Sequence, residues 1–219
     1  QAEDGIRDVA VTGVQTCALP ILNRELFLIT AFGLLALVLS FLWLLPVTNK
    51  WQLLPALAVF GFVCQRLWQF SPLNRRDEQS PSQQSLGAAN RLTVLRGWLI
   101  AVCAGYVGAG NADGSSTWLP AACYTIAALL DAADGVVARR SNSVTLLGTQ
   151  LDTSFDALGL LIAPIVAVGQ GKLHPSYLLV SAAYYLFVGG LHWRRSHGLP
   201  VSSLRPSKLR RLLAGLQME

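Results

Sequence analysis

Residues 131–156 read DAADGVVARRSNSVTLLGTQLDTSFD. This stretch contains four aspartates: Asp131, Asp134, Asp152 and Asp156. The first two are three positions apart and the last two are four positions apart, so on helices each pair shares one face. The polar residues Ser141, Asn142 and Ser143 separate the two pairs. The pattern therefore predicts a helical hairpin that directs four carboxylates into one volume.

The four carboxylates require a positive partner. Ionised carboxylates that lie close together repel one another, and charged side chains within membrane helices are costly. Arg139 and Arg140 are too few to balance them. Oxygen-rich sites suit Mg²⁺ or Mn²⁺. We therefore expect about two such ions, which would share the acids and clamp a diphosphate.

Two glycines accompany the aspartates: Gly135 directly follows Asp134, and Gly148 opens the next apolar segment. Glycine inside a helix costs up to about 1 kcal/mol relative to alanine. One explanation is that a ligand approaches the backbone closely at these positions. The other is packing between membrane helices, which favours small residues, and taken alone each glycine favours this second explanation.

The composition is that of a membrane protein. Hydrophobic residues make up 53% of the chain and charged residues only 13%, whereas soluble domains carry about 25% charged residues. The mean hydropathy of +0.45 agrees with this. The net charge of +5 does not indicate nucleic-acid binding, because no basic stripe with interleaved aromatic residues is present. We predict an all-α fold, a polytopic helical bundle in a membrane.

Six apolar segments predict about six transmembrane helices. They are Leu26–Pro46, Trp51–Phe70, 92–110, 118–130, 148–168 and 177–193. If the chain starts inside, nearly all Lys and Arg residues fall on the inner side, and only Lys50 and Lys172 fall outside. This bias predicts an integral protein of the cytoplasmic membrane whose aspartates face the cytoplasm.

Residues 1–21, QAEDGIRDVAVTGVQTCALPI, resemble the translation of a sequencing-library adapter. We therefore expect them to be non-native and exclude them from reasoning about the fold, as one would exclude a fusion scar. Residues 22–89 then provide two N-terminal transmembrane helices and a cytoplasmic loop rich in Ser, Gln and Pro.

The spacing of the aspartates and glycines also resembles a family motif. The pattern D-x2-D-G-x2-A-R-x8-G-x3-D-x3-D is typical of the CDP-alcohol phosphotransferases, also called CDP-alcohol phosphatidyltransferases. The matching residues are Asp131, Asp134, Gly135, Ala138, Arg139, Gly148, Asp152 and Asp156. A weaker match, N-x-L-T-x-x-R, runs from Asn90 to Arg96. The resemblance covers about Asn90 to Met218, and since the family core usually has six helices, residues 90–219 are expected to form a core truncated at its C-terminus.

The resemblance implies transfer of a substituted phosphoryl group from a CDP-linked donor to an alcohol acceptor, with release of CMP. Metal would be held by Asp131, Asp134, Asp152 and Asp156, and Asp156 would also act as the general base. The residues near the cytidine diphosphate would be Gly135, Ala138, Arg139, Gly148, Asn90, Thr93 and Arg96. Since members of this family are often dimers, the resemblance also implies a homodimer surrounded by membrane lipid.

Four interpretations of the function are open, and one of them is a non-catalytic scaffold, which the loss of a motif acid would favour although none is lost. In the leading one, an enzyme of phospholipid synthesis uses CDP-diacylglycerol as the donor. In the second, the donor is a CDP-amino alcohol and the acceptor is diacylglycerol. The third is a cation transporter, because acids within a membrane often mark an ion path. The acids here lie towards the ends of their helices, beside Arg139 and Arg140, which favours an enzyme.

Overall fold

The computed structural model describes residues 2–43, 50–108, 118–141 and 143–199. Within these ranges all regular structure is helical, and no strand is present. The α-helices are α1 (Ala2–Trp43), α2 (Leu53–Phe70), α3 (Ala88–Ala104), α4 (Leu119–Arg140), α5 (Leu146–Gly169) and α6 (Leu178–Ser196). The all-α fold predicted from the composition and the apolar segments is confirmed.

Four helical segments in the described part of the chain are long and apolar enough to cross a membrane. They are Ile21–Leu42, Leu53–Leu73, Leu119–Arg140 and Leu146–Gly169. A helical membrane bundle is therefore confirmed, but the predicted count of about six spans is not. Helix α3 has 17 residues, fewer than the roughly 20 that a span needs. Helix α6 has 19 residues and is not among these four segments.

Helix α3 lies between its neighbours in the bundle and packs against α2, α4 and α5. A Cβ atom at Gly97 would lie 3.0 Å from Val63 Cγ1 of α2 and 3.1 Å from Phe155 Cε2 of α5. Both of these neighbouring side chains are fully buried. Protein surrounds α3 on these sides, so the helix is able to carry buried polar residues such as Asn90 and Arg96.

The hydrophobic core joins α1, α2, α3 and α5. Its largest fully buried side chains include Leu22, Leu26, Leu67, Leu147, Leu151 and Phe155. Other large apolar side chains of α1, among them Phe27, Phe32 and Leu42, are exposed. A helix that is apolar both on its packed face and on its exposed face is typical of a membrane span.

The chain divides into two compact units, residues 1–178 and 179–219. The first contains α1 to α5 and the candidate site, and the second begins within α6. Helix α1 includes residues 2–21, but a helical backbone is compatible with any origin of that segment. The adapter interpretation, the division near residue 89 and the orientation in the membrane therefore stay predictions.

Candidate active site

The helical hairpin predicted from the aspartate spacing is formed by α4 and α5. Helix α4 carries Asp131 and Asp134 in its second half, and α5 carries Asp152 and Asp156 in its first half. Thr145 is the N-cap of α5, and its Oγ1 accepts a hydrogen bond from the Gly148 backbone N–H at 3.0 Å. This cap satisfies one of the free N–H groups of the first turn and fixes where α5 begins.

Three of the four aspartates form a cluster, which we call the three-acid cluster: Asp131, Asp152 and Asp156. Each offers a carboxylate oxygen, and these oxygens lie within 4.8 Å of one another. The three side chains are partly exposed. Several hard oxygen donors converging on one point make a suitable ligand set for Mg²⁺ or Mn²⁺.

Arg96 of α3 lies beneath the three-acid cluster, and its side chain is only 3% exposed. Its Nη1 contacts Asp131 Oδ1 and lies 3.3 Å from Asp156 Oδ1. Its Nη2 donates to Asp152 Oδ1 at 2.7 Å. A buried guanidinium requires such pairing. Arg96 therefore supplies an internal positive charge for the cluster, and the position near the cytidine diphosphate that the family resemblance implies for it stays a prediction.

The fourth aspartate, Asp134, lies apart from the cluster and is 7% exposed. Thr93 Oγ1 donates a hydrogen bond to Asp134 Oδ2 at 2.7 Å. Thr93 and Arg96 are three residues apart on α3, and they contact Asp134 and Asp131, which are three residues apart on α4. Helices α3 and α4 therefore run antiparallel at this point. A hydroxyl–carboxylate contact and a guanidinium–carboxylate contact join them.

A cavity of about 230 Å³ opens beside the cluster, and we call it the motif cavity. The predicted site residues that line it are Asn90, Thr93, Asp134, Gly135, Ala138, Arg139, Gly148 and Asp152. The predicted residues Asp131, Asp156 and Arg96 are not among its lining residues. Asp152 is the aspartate that belongs to both the cavity and the three-acid cluster.

The two glycines of the motif meet different neighbours. A Cβ atom at Gly148 would lie 2.6 Å from Asn90 Oδ1, closer than non-bonded atoms approach. A Cβ atom at Gly135 would lie 3.2 Å from Arg139 Nη1, the far end of a flexible side chain. Both glycines also line the cavity. The packing of the Asn90 side chain therefore requires glycine at position 148. The absence of a side chain at this position also leaves the cavity open.

Sequence reasoning missed several lining residues: Ala89, Ser143, Val144, Thr145 and Thr149. Thr145 carried a recognisable signal, because a threonine directly before an apolar run is a frequent N-cap. Asn90 Nδ2 donates to Thr145 Oγ1 at 3.0 Å across the cavity end. The internal role of Arg96 had no comparable signal, because its partners lie on two other helices.

A family model supports the motif match. The model for CDP-alcohol phosphatidyltransferase matches residues 86–216, which is more than half of the chain. No curated protein and no solved structure gives a significant match. The matched range contains all of α3, α4 and α5, and therefore every residue of the cluster and the motif cavity. Together with its apolar helices, this match shows that the chain is an integral membrane protein that belongs to the CDP-alcohol phosphatidyltransferase family, enzymes that depend on divalent metal ions and transfer a phosphatidyl-type group from a CDP-alcohol.

Proposed function

We propose that this protein transfers the phosphatidyl group of CDP-diacylglycerol to an alcohol and releases CMP. The observation that carries the proposal is the position of Asp152, which lines the motif cavity and also belongs to the three-acid cluster. A donor in the cavity would bring its diphosphate beside the carboxylates that hold metal. The two parts of the site then meet at one side chain.

The motif cavity suits the polar end of a CDP-linked donor. Its lining combines the Arg139 guanidinium, which matches phosphate geometry, with the amide of Asn90 and the hydroxyl of Thr93. Val144 also lines the cavity, and its side chain is exposed. Val136, beside Gly135, is a further exposed apolar residue. This apolar surface next to a polar cavity favours a donor that carries acyl chains.

The three-acid cluster would hold one divalent ion, and Asp134 and Asp152 on the cavity side would contribute to a second. A bound Mg²⁺ or Mn²⁺ would stabilise the negative charge that develops on the departing CMP. Asp131 and Asp152 are positioned by Arg96, so their oxygens are gathered before the ion binds. These residues fit the ions that the family requires.

Asp156 is proposed as the general base. It belongs to the cluster but does not line the motif cavity, so an acceptor beside Asp156 and a donor in the cavity occupy different sides of the cluster. Asp156 would take the proton of the acceptor hydroxyl. The acceptor oxygen forms a bond to the phosphatidyl phosphorus, the bond from that phosphorus to CMP breaks, and CMP leaves as a phosphate monoester.

We also propose that the site faces the cytoplasm in the cytoplasmic membrane and that the protein forms a homodimer. Arg139 and Arg140 end α4, Arg139 lines the motif cavity, and Lys and Arg residues favour the cytoplasmic side. Labelling of a cysteine placed at Arg140 by a membrane-impermeant reagent tests the orientation: in intact cells it should remain unlabelled, and labelling from outside would contradict it.

The test of the proposed function is CMP release by the full-length protein in lipid nanodiscs. We expect release with CDP-diacylglycerol and at least one acceptor from a panel of polyols and their phosphates, and loss of release when Mg²⁺ and Mn²⁺ are chelated. A labelled CDP-amino alcohol with diacylglycerol is the second donor arm. Release in that arm alone would overturn the choice of donor, and release in neither arm would overturn the enzymatic proposal.

The variant Asp152→Asn tests the position of the shared aspartate. We expect kcat/KM to fall about 100- to 1,000-fold, the range typical for loss of one group that stabilises developing charge. The matched control is Glu78→Gln, an exposed acid outside the site, which should leave kcat/KM unchanged. Full activity of Asp152→Asn would contradict the metal assignment.

A further inference from the structure

The linker between α2 and α3, residues 71–87, folds into a compact loop around Asn74. The Asn74 side chain is fully buried. Its Nδ2 donates hydrogen bonds to Gln83 O at 3.2 Å and Ser85 O at 2.9 Å, and Gln83 N donates to Asn74 O at 2.7 Å. One buried amide thus ties the two ends of the loop together, and a buried amide of this kind is costly to leave unpaired.

Asn74 also contacts the wall of the motif cavity. Its Oδ1 lies 3.4 Å from Asn90 Nδ2, a long contact that shares the two amide protons with the shorter bonds to Leu86 O and Thr145 Oγ1. The same Asn90 amide donates to Thr145 Oγ1 at 3.0 Å, and Thr145 Oγ1 accepts from Gly148 N at 3.0 Å. Asn90, Thr145 and Gly148 all line the cavity. A continuous set of hydrogen bonds therefore connects the linker to the first turn of α5.

A second contact joins the linker to α5 directly. Leu146 N, at the start of α5, donates to Arg75 O at 2.9 Å. Leu86, at the other end of the linker, is fully buried, and its carbonyl accepts from Asn90 Nδ2 at 2.8 Å. The linker therefore holds the beginnings of α3 and α5, the two helices whose first turns form one end of the cavity.

Asn74 and Arg75 precede residue 86, where the family match begins. The motif residues of the cavity thus depend, through contacts, on a segment outside the matched range. We infer that Asn74 of this linker is a positioning residue of the donor-binding site, which fixes Asn90 and Thr145 for the cytidine nucleotide. This inference rests on the proposed function and extends the site to a segment that the motif does not include.

Kinetics of Asn74→Ala provide the first test. We expect the KM for CDP-diacylglycerol to rise about tenfold, as expected for loss of a buried hydrogen-bonding group. The kcat should stay within about threefold of the parent value, because none of the contacts of the three-acid cluster involves Asn74. Gln84→Ala, an exposed residue of the same linker, is the matched control and should leave both constants unchanged. An unchanged KM in Asn74→Ala, or an equal rise in Gln84→Ala, would overturn the inference.

Hydrogen–deuterium exchange on the unmodified protein provides a test that does not depend on the folding of a variant. Addition of CMP should slow exchange in peptides that cover 74–87 as well as in those that cover 134–149. Slower exchange in 134–149 with no change in 74–87 would overturn the role of the linker. No change in either segment, together with no CMP release in the assay above, would instead contradict the proposed function, and the inference would fail with it.

Discussion

The three-acid cluster and the Asn90 end of the motif cavity lie along the same helix, yet they are held together differently. Arg96 gathers three partly exposed carboxylates through charge. Asn90, less than two turns earlier on α3, joins Leu86, Thr145 and the linker through neutral hydrogen bonds. A charged centre that loses its counterion pays a larger electrostatic penalty than a neutral centre that loses one hydrogen bond.

Helix α3 therefore organises both halves of the site, although the aspartates of the motif lie on α4 and α5. If the charged half determines turnover and the neutral half determines donor binding, substitutions in the two halves should separate kcat from KM. Three substitutions test whether the charged half and the neutral half have different roles, and each has a matched control on the same or a neighbouring helix.

The largest effect is expected for Arg96→Met, which removes the guanidinium and leaves the three carboxylates facing one another. We expect the free energy of unfolding to fall by about 3 kcal/mol, the lower part of the range for a broken buried pair, because the carboxylates are partly exposed. Unfolding in mixed detergent micelles measures this. Added Mn²⁺ should restore part of the loss, because the ion replaces the missing positive charge.

The control for this substitution is Arg91→Met, on the same helix. Arg91 is 59% exposed and pairs with Glu25 at 2.7 Å, and an exposed pair is worth at most about 1 kcal/mol. If Arg91→Met lowered the free energy of unfolding as much as Arg96→Met, the buried arginine would stabilise the protein no more than an exposed one. That result would contradict the proposed electrostatic role of Arg96.

A smaller effect is expected for Gly148→Ala. The added Cβ would lie 2.6 Å from Asn90 Oδ1, so Asn90 must shift, and overpacking of this kind costs about 1–3 kcal/mol. We expect the KM for the donor to rise more than kcat falls, measured by initial rates of CMP release. In Gly135→Ala, the atoms nearest to the added Cβ belong to the flexible end of Arg139. The rise in KM should therefore be smaller than in Gly148→Ala.

Gly61→Ala completes the glycine series as its control. Apart from the adjoining turns of its own helix, no atom of the described residues lies within 4 Å of the Cβ position at Gly61, and alanine is the better helix former. It should leave kinetics unchanged and stability equal or higher. A Gly148→Ala enzyme as active as Gly61→Ala would show that the Asn90 end of the cavity tolerates displacement.

The smallest effect is expected for Thr145→Val, which keeps the volume of the side chain but removes the N-cap of α5 and one hydrogen-bond partner of Asn90. Loss of such a cap costs about 1 kcal/mol, and the Asn90 amide keeps its bond to Leu86 O, so thermal unfolding should show a small decrease in Tm. Thr153→Val is the control, because Thr153 Oγ1 donates only to Thr149 O within the same helix. An equal decrease in both variants would argue against a capping role for Thr145.

The hairpin followed from the aspartate spacing within two neighbouring helices, and most of the cavity lining was implied by the resemblance to the family motif. The separation of Asp134 from the cluster did not. Residues three apart on a helix differ by about 60° around its axis, and this angle decides which side of α3 each one meets. Asp131 meets Arg96 and Asp134 meets Thr93, a choice that depends on how α3 and α4 cross.

The predicted count of about six spans is not confirmed, for a related reason. The apolar length of a segment predicts whether it crosses lipid only if lipid surrounds it. Helix α3 is packed among α2, α4 and α5, so its buried faces carry Asn90, Thr93 and Arg96 without exposing them to acyl chains. Hydropathy alone does not distinguish such an enclosed helix from one at the surface of the bundle.

Glu25 of α1 adds a consequence for any chimera made from this protein. Its Oε2 accepts from Leu86 N at 3.0 Å, and its Oε1 accepts from Arg91 at 2.7 Å. If the N-terminal helices were replaced by those of another protein, an acidic residue would have to occupy the position of Glu25. Without it, the first turn of α3 would lose its hydrogen bonds to α1. Helix α1 is thus joined to α3 by hydrogen bonds as well as by the chain.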